Sequence, residues 1–267
     1  MPRLAANLSW LFQEHDPLDR FAASRRAGFR AVEWLFPYDV PAAATVAALK
    51  DAGLEMALIN TPAGDWAKGE RGLGAVPGQE RRFAEALDQA ISYAREIACR
   101  RIHVMAGLVP PGHTIEACET VFVENLRMAA RKLAGHGITA TIEPLNSFDV
   151  PGYVLSGSAQ ARRLIEAVGE PNLKLQWDAY HLQIMEGNLA ASFERHRDVI
   201  GHVQIAGVPG RNEPDIGEIN YGFLLAHMDR LGYQGFVGCE YRPRAGTLAG
   251  LGWAAAYGIE AGAQAAQ

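Results

Sequence analysis

The chain has 267 residues, of which 49% are hydrophobic and 21% charged, with a formal net charge of −5. These values describe a globular protein with enough apolar material for a large core, and they exclude a disordered or fibrous chain. Net acidity without a long basic run argues against a nucleic-acid partner. The three cysteines, Cys99, Cys118 and Cys239, form no C-x-x-C pair, so neither a disulfide framework nor a thiolate zinc knuckle is encoded. No signal-peptide pattern follows Met1, and no apolar stretch reaches the roughly 18 residues of a membrane span. A cytoplasmic protein without a membrane partner is expected.

Short apolar runs alternate with longer helical patterns, which is the signature of βα units and a parallel sheet. Eight runs occur, at 4–8, 31–34, 56–60, 102–105, 139–143, 173–178, 202–205 and 236–240. They recur about every 33 residues, near the size of a βαβ repeat. Count and spacing together predict an α/β fold, a (β/α)₈ TIM barrel forming a single domain over residues 1–267. Helices are expected to stop at Gly28, Gly53 and Gly232, because glycine takes the left-handed conformation without steric cost. Longer helices are expected at 80–98 and 115–134, and another opening with Ser158 as its cap. The longest interval separates the third and fourth runs, and its excess is the Gly-rich stretch 61–78 holding Trp66 and Arg71. It reads as a lid over the catalytic face. Its glycines do not follow the phosphate-loop pattern, so no nucleotide cradle is expected. Leu251-Gly-Trp253 and the Ala-rich tail offer a surface for a second copy of the chain, a possible homo-oligomer.

Catalytic groups of such barrels project from the C-terminal ends of the strands. The last four runs end on or near Glu143, Asp178, Gln204 and Glu240. Any one of them has an ordinary alternative, capping a helix or pairing with an arginine. Three carboxylates and a carboxamide on four consecutive strands converge, however, and unneutralised carboxylates in one low-dielectric site repel. One divalent metal ion is therefore expected on Glu143, Asp178, Gln204 and Glu240. Oxygen ligands favour Mg²⁺ or Mn²⁺ over Zn²⁺, which more often recruits Cys or His. Two glutamates on one site also provide a base and an acid on opposite faces of a substrate. With a cation on the ketone oxygen and the neighbouring hydroxyl, that arrangement fits carbonyl isomerisation through an enediolate. His103 and His202 read as core histidines. Asn7, Glu33 and Asn60 line the mouth without an assigned role.

Several segments together carry a resemblance. They are Ala6-Asn-Leu-Ser9, Val32-Glu-Trp-Leu-Phe-Pro-Tyr38, Pro62-Ala-Gly-Asp-Trp66, Gly69-Glu-Arg-Gly72, Ile142-Glu-Pro-Leu-Asn146, Gly217-Glu-Ile-Asn-Tyr221 and Gly238-Cys-Glu-Tyr241. Over nearly its whole length the chain resembles the hydroxypyruvate isomerases of the xylose-isomerase-like barrels. The resemblance implies the same four metal ligands, with Glu143 and Glu240 as the catalytic pair. His181 and Arg211 look like substrate contacts of related epimerases, Arg211 facing a substrate carboxylate unless Glu213 pairs with it instead. The expected reaction interconverts hydroxypyruvate and 2-hydroxy-3-oxopropanoate, and the expected partner is a small hydroxy-keto acid. Segments such as His103-Val-Met-Ala-Gly107 are also similar to the 2-oxo-tetronate isomerases, which leaves a four-carbon acid as the alternative and ketose 3-epimerisation as a third. A zinc phosphodiesterase acting on DNA would need more histidines at the strand ends than His181.

Overall fold

The computed structural model describes residues 2–259. Eight parallel strands close into a barrel in chain order, with β1 paired to both β2 and β8. They are β1 (Arg3–Asn7), β2 (Ala31–Glu33), β3 (Glu55–Asn60), β4 (Arg101–His103), β5 (Thr139–Ile142), β6 (Leu173–Asp178), β7 (Ile200–Ile205) and β8 (Phe236–Cys239). Every expected run holds a strand. Strands β5 and β8 end one residue earlier than expected, so Glu143 and Glu240 stand just past their strands, at the mouth.

Helices α1 (Asp19–Arg26), α2 (Ala42–Ala52), α3 (Glu80–Glu96), α4 (Ile115–Ala134) and α5 (Ser158–Val168) follow the first five strands. Two short helices, α6 (Ala179–Met185) and α7 (Leu189–His196), fill the β6–β7 connection, and α8 (Tyr221–Arg230) precedes β8. Gly53 closes α2 in the left-handed conformation at φ 61°, as expected. Ser158 differs from expectation: Gly157 holds the cap position of α5, and the Ser158 hydroxyl donates to Glu186 Oε2 at 2.7 Å. Helix α8 opens at Tyr221, where the Asn220 side chain accepts from Phe223 N at 3.0 Å and satisfies an amide that the helix leaves open.

Strand side chains alternate between two faces, and that alternation sorts this barrel by polarity. Leu173, Leu175 and Trp177 of β6, Val203 and Ile205 of β7, and Val237 of β8 join the large apolar core shared with the helices. Leu87, Leu126, Leu133 and Leu164 meet them from α3, α4 and α5 with almost no exposure. Burying each such side chain contributes about 1.5–3 kcal/mol. The opposite faces point to the barrel axis. Ala5, Ala31, Ala57 and Phe236 form a small apolar plug there. Two residues further along their strands stand Asn7, Glu33 and Gly238, and polar groups replace the branched aliphatics that usually fill a barrel.

Leu251 and Trp253 pack on their own barrel: Leu251 is fully buried, and Trp253 Nε1 donates to the Tyr241 hydroxyl at 3.3 Å. The Ala-rich tail lies outside the described residues. No described helix is long and apolar enough to cross a membrane.

Candidate active site

Below the mouth, the axis is crossed by a hydrogen-bonded polar layer. The Thr141 hydroxyl donates to Gln176 Oε1 at 2.9 Å, and Gln176 Nε2 donates to Glu143 Oε2 at 2.9 Å and Gln204 Oε1 at 2.6 Å. Gln204 Nε2 in turn donates to Glu33 Oε2 at 2.9 Å and Glu240 Oε2 at 2.5 Å. Asn7 Nδ2 reaches the same two carboxylates at 3.0 and 3.2 Å. The other oxygen of Glu33 pairs with His202 Nε2. Gly238 is required here because a Cβ on it would stand 2.1 Å from Glu33 Oε1. The layer holds the two strand-end glutamates through a shared pair of carboxamides.

Above it lie the groups that face the cavity. Asp178 Oδ1 accepts from Tyr180 N at 2.8 Å and so caps α6, whereas Oδ2 has no hydrogen-bond partner. Glu143 likewise leaves Oε1 without a partner, and His103 Nδ1 stands 3.4 Å from its Oε2. Arg211, held with φ at 55° after β7, donates from Nη2 to Glu240 Oε1 at 2.6 Å and lies 3.6 Å from Asp178 Oδ2. Its guanidinium sits 4.9 Å from the ring centres of both Trp10 and Tyr180.

Glu143, Asp178 and His181 present ligand atoms within 4.8 Å of one another, the one such group of three among the described residues. The hydrogen bonds of His181 restrict what it can do there. Its Nδ1 accepts from the Asn146 backbone N–H at 3.0 Å, so the neutral ring carries its proton on Nε2. Burial, together with Arg211, pushes its pKa well below the ordinary value and keeps it neutral. Nε2, 3.7 Å from Asp178 Oδ2 and 3.9 Å from Glu143 Oε1, is therefore a donor facing the cavity.

Burial dominates the carboxylates. It raises Glu143 well above its ordinary pKa, with Glu240 and Asp178 adding repulsion. It pushes Glu240 up to about 8 despite the opposing effect of Arg211, and it raises Asp178 against the same arginine. Two buried carboxylates with unpartnered oxygens and raised pKa values fit a divalent cation, which satisfies both defects at once.

The cavity over these groups measures about 570 Å³. Leu35, Phe36, Trp66, Met105, Leu145 and Val150 form apolar walls, and Arg71, Arg211 and Arg242 supply cations. The stretch expected as a lid forms one wall and is stapled in place. The backbone amides of Gly74 and Ala75 donate to Met105 and Ala106 carbonyls at 3.1 and 2.7 Å, and Asn125 Nδ2 donates to Gly74 O at 2.8 Å. A second cavity of about 420 Å³ at the opposite mouth, lined by Arg101, Lys174 and Arg197, contains no carboxylate or imidazole for proton transfer.

A family model described as xylose isomerase-like TIM barrel matches residues 21–257. The chain belongs to that family. A 2-oxo-tetronate isomerase of Cupriavidus necator is 52% identical over 257 residues, covering 96% of this chain and 99% of the relative. A hydroxypyruvate isomerase of Escherichia coli is 47% identical over 253 residues, covering 95% and 98%. A crystal structure from Brucella melitensis, described as AP endonuclease, family 2, superposes with a TM-score of 0.94 at 47% identity over 96% of this chain and 99% of that one. With curated relatives of this closeness named isomerases, this xylose isomerase-like barrel is an enzyme of the isomerase class.

On the xylose isomerase-like barrel, five of the six residues singled out from the sequence are gathered at one mouth. Glu143, Glu240, His181 and Arg211 line the cavity, and Asp178 lies beside them. Gln204 lies deeper, with its amide oxygen on Gln176 and its amide nitrogen on Glu33 and Glu240. Glu213 does not pair with Arg211; it accepts from Arg244 N and Nε at 2.9 and 3.2 Å. The ordinary roles weighed for strand-end carboxylates occur together with the cavity-facing ones, since Asp178 caps a helix and Glu240 pairs with an arginine. His103 is not a satisfied core residue, as neither ring nitrogen has a partner and it lines the cavity. Gln176, Thr141 and Glu33 carry no role that the sequence alone assigns. A signal for them existed, because Gln176 lies two residues before Asp178 and Thr141 two before Glu143, on the same strand faces.

Proposed function

We propose that this barrel isomerises a short hydroxy-keto acid by moving a proton between adjacent carbons, with Glu143 and Glu240 as the acid–base pair. The leading reaction converts hydroxypyruvate to 2-hydroxy-3-oxopropanoate. The observation that carries this reading is two buried glutamates facing one cavity from β5 and β8, each raised in pKa. Repulsion between them favours one protonated and one ionised carboxyl near neutral pH, which is the state that a proton transfer between neighbouring carbons needs. The ionised member takes a proton from the hydroxyl-bearing carbon of hydroxypyruvate, the protonated member returns one to the former ketone carbon, and the hydroxyl proton passes to the former ketone oxygen as the carbonyl moves to its neighbour. His181 Nε2–H is positioned to donate to a substrate oxygen between them. Arg211 keeps Glu240 oriented, and Gln176 does the same for Glu143.

Glu143, Asp178 and Glu240, joined by Gln204 if its amide turns, would hold one Mg²⁺ or Mn²⁺ ion. When bound, that ion supplies charge compensation for the carboxylates and polarises the substrate's carbonyl oxygen. The test is NMR of hydroxypyruvate in D₂O with the protein and Mg²⁺ or Mn²⁺. Deuterium is expected on the carbon beside the carbonyl, together with the aldehyde product. Absence of both, with every candidate acid and either metal, defeats the proposal.

A four-carbon acid is the second reading. It is favoured by the 52% identical relative named 2-oxo-tetronate isomerase and by a cavity of about 570 Å³, roomy for a three-carbon acid. The ratio of kcat/KM for 2-oxo-tetronate over hydroxypyruvate decides between them.

A further inference from the structure

A hydroxy-keto acid brings its own carboxylate into a cavity that already holds Glu143, Asp178 and Glu240, so a cation must receive it. Three arginines line the cavity, and they are not equivalent. Arg211 is committed to Glu240 at 2.6 Å and faces Asp178 at 3.6 Å. Arg242 is exposed, 5.5 Å from the Trp10 ring centre. Arg71 is half-buried and has no carboxylate partner among the described residues. Its Nη1 donates to the Trp66 and Glu70 carbonyls at 3.2 and 2.8 Å, and its guanidinium lies 3.7 Å from the Trp66 ring centre. The Nε and Nη2 donors meet no acceptor among the described residues, and this edge is the one a carboxylate grips bidentately.

The loop is arranged to keep Arg71 uncompensated. Its sequence neighbour Glu70 is turned away and binds Arg82 through both oxygens, at 2.8 and 2.7 Å. Gly72 fixes the position: it bridges to Ala106 at φ 117°, and a Cβ there would stand 2.7 Å from the Met105 backbone. Stacking on Trp66 restricts the guanidinium before any ligand arrives, so less conformational freedom is lost on binding.

We infer that Arg71 is the seat of the substrate's carboxylate, with the reacting carbons directed toward Glu143 and Glu240. This rests on the hydroxy-keto acid reading and sharpens it: the site selects a short acid over a neutral ketose. The test is calorimetry of D-glycerate, a non-isomerising acid of the same length as hydroxypyruvate, on the Mg²⁺-supplied protein. Arg71→Met is expected to weaken binding by roughly 10- to 100-fold, as loss of charge-assisted hydrogen bonds does. Arg71→Lys, which keeps the charge but not the fork, should fall between. Melting temperature and Mn²⁺ affinity should stay at wild-type values in both, separating lost recognition from lost structure. The inference is overturned if the wild type shows no saturable D-glycerate binding, if Arg71→Met stays within threefold of it, or if the loss follows Arg242→Met instead. Failure of the isomerase reading looks different: Arg71-dependent glycerate binding with no deuterium entering hydroxypyruvate or 2-oxo-tetronate.

Discussion

The apolar shell and the polar axis of this barrel are built from alternate residues of the same strands, yet they do opposite work. Leu175 and Trp177 of β6 face the shell, where burial stabilises the fold and neighbours are interchangeable in chemistry though not in volume. Gln176 and Asp178, each one residue away, face an axis where burial is costly and every polar contact is specific. The cost is tolerated because the shell is extensive. Fold and chemistry in this protein are thus separable by strand face, and substitutions should separate them too.

The largest effects belong to the axis and should be seen in rate alone. Glu143→Gln and Glu240→Gln are each expected to lower kcat by about 10²- to 10⁴-fold, the usual contribution of a positioned acid or base. Glu143→Gln should not lower the melting temperature of the metal-free protein, because it removes a buried charge that Glu240 and Asp178 repel, whereas Glu240→Gln also gives up the ion pair with Arg211. A variant that kept near-normal turnover would remove that glutamate from the mechanism. The converse experiment is in the shell. Leu133, fully buried on α4, is expected to cost about 2–5 kcal/mol on truncation to Ala, measured by denaturant unfolding. The folded Leu133→Ala protein should retain the wild-type rate of deuterium exchange, and a rate loss as large as that of Glu143→Gln would show that shell and axis are not separable.

The shell was more legible in the sequence than the axis, for a physical reason. Apolar runs repeat and strand ends follow from them, so the eight strands and the positions of Glu143, Asp178 and Glu240 could be read from local pattern. The pairing of Arg211 with Glu240, of Gln204 with Glu33 and of His202 with Glu33 joins residues far apart in the chain, and no local pattern encodes which partner each will meet. Arg71 illustrates both limits. Its place in a Gly-rich stretch after β3 was evident, but its lack of a carboxylate partner among the described residues depends on Glu70 binding Arg82 from α3. The inward-facing Gln176 and Thr141 are features that strand alternation alone could have supplied.

The smallest expected effect is a pH slope, and it isolates the axis without any substitution. In the fold burial pushes Glu240 up to about 8 and Glu143 well above its ordinary value, whereas the ordinary value of both is 4.5. Between those values the folded protein binds more protons than the unfolded chain, so this contribution is fully present below 4.5 and is lost as pH rises through about 8. The melting temperature of metal-free protein should therefore decline over that window, and Glu240→Gln should flatten the decline. Mg²⁺ or Mn²⁺ binds the ionised carboxylates, so its stabilisation should grow toward the alkaline end, to about 2.7 kcal/mol at a hundredfold excess over Kd. Leu133→Ala should lower the whole curve with its slope unchanged. A metal-free curve that is flat from pH 5 to 8, or one that Glu240→Gln leaves no shallower, would mean that the burial cost of the axis carboxylates is relieved by something other than protonation.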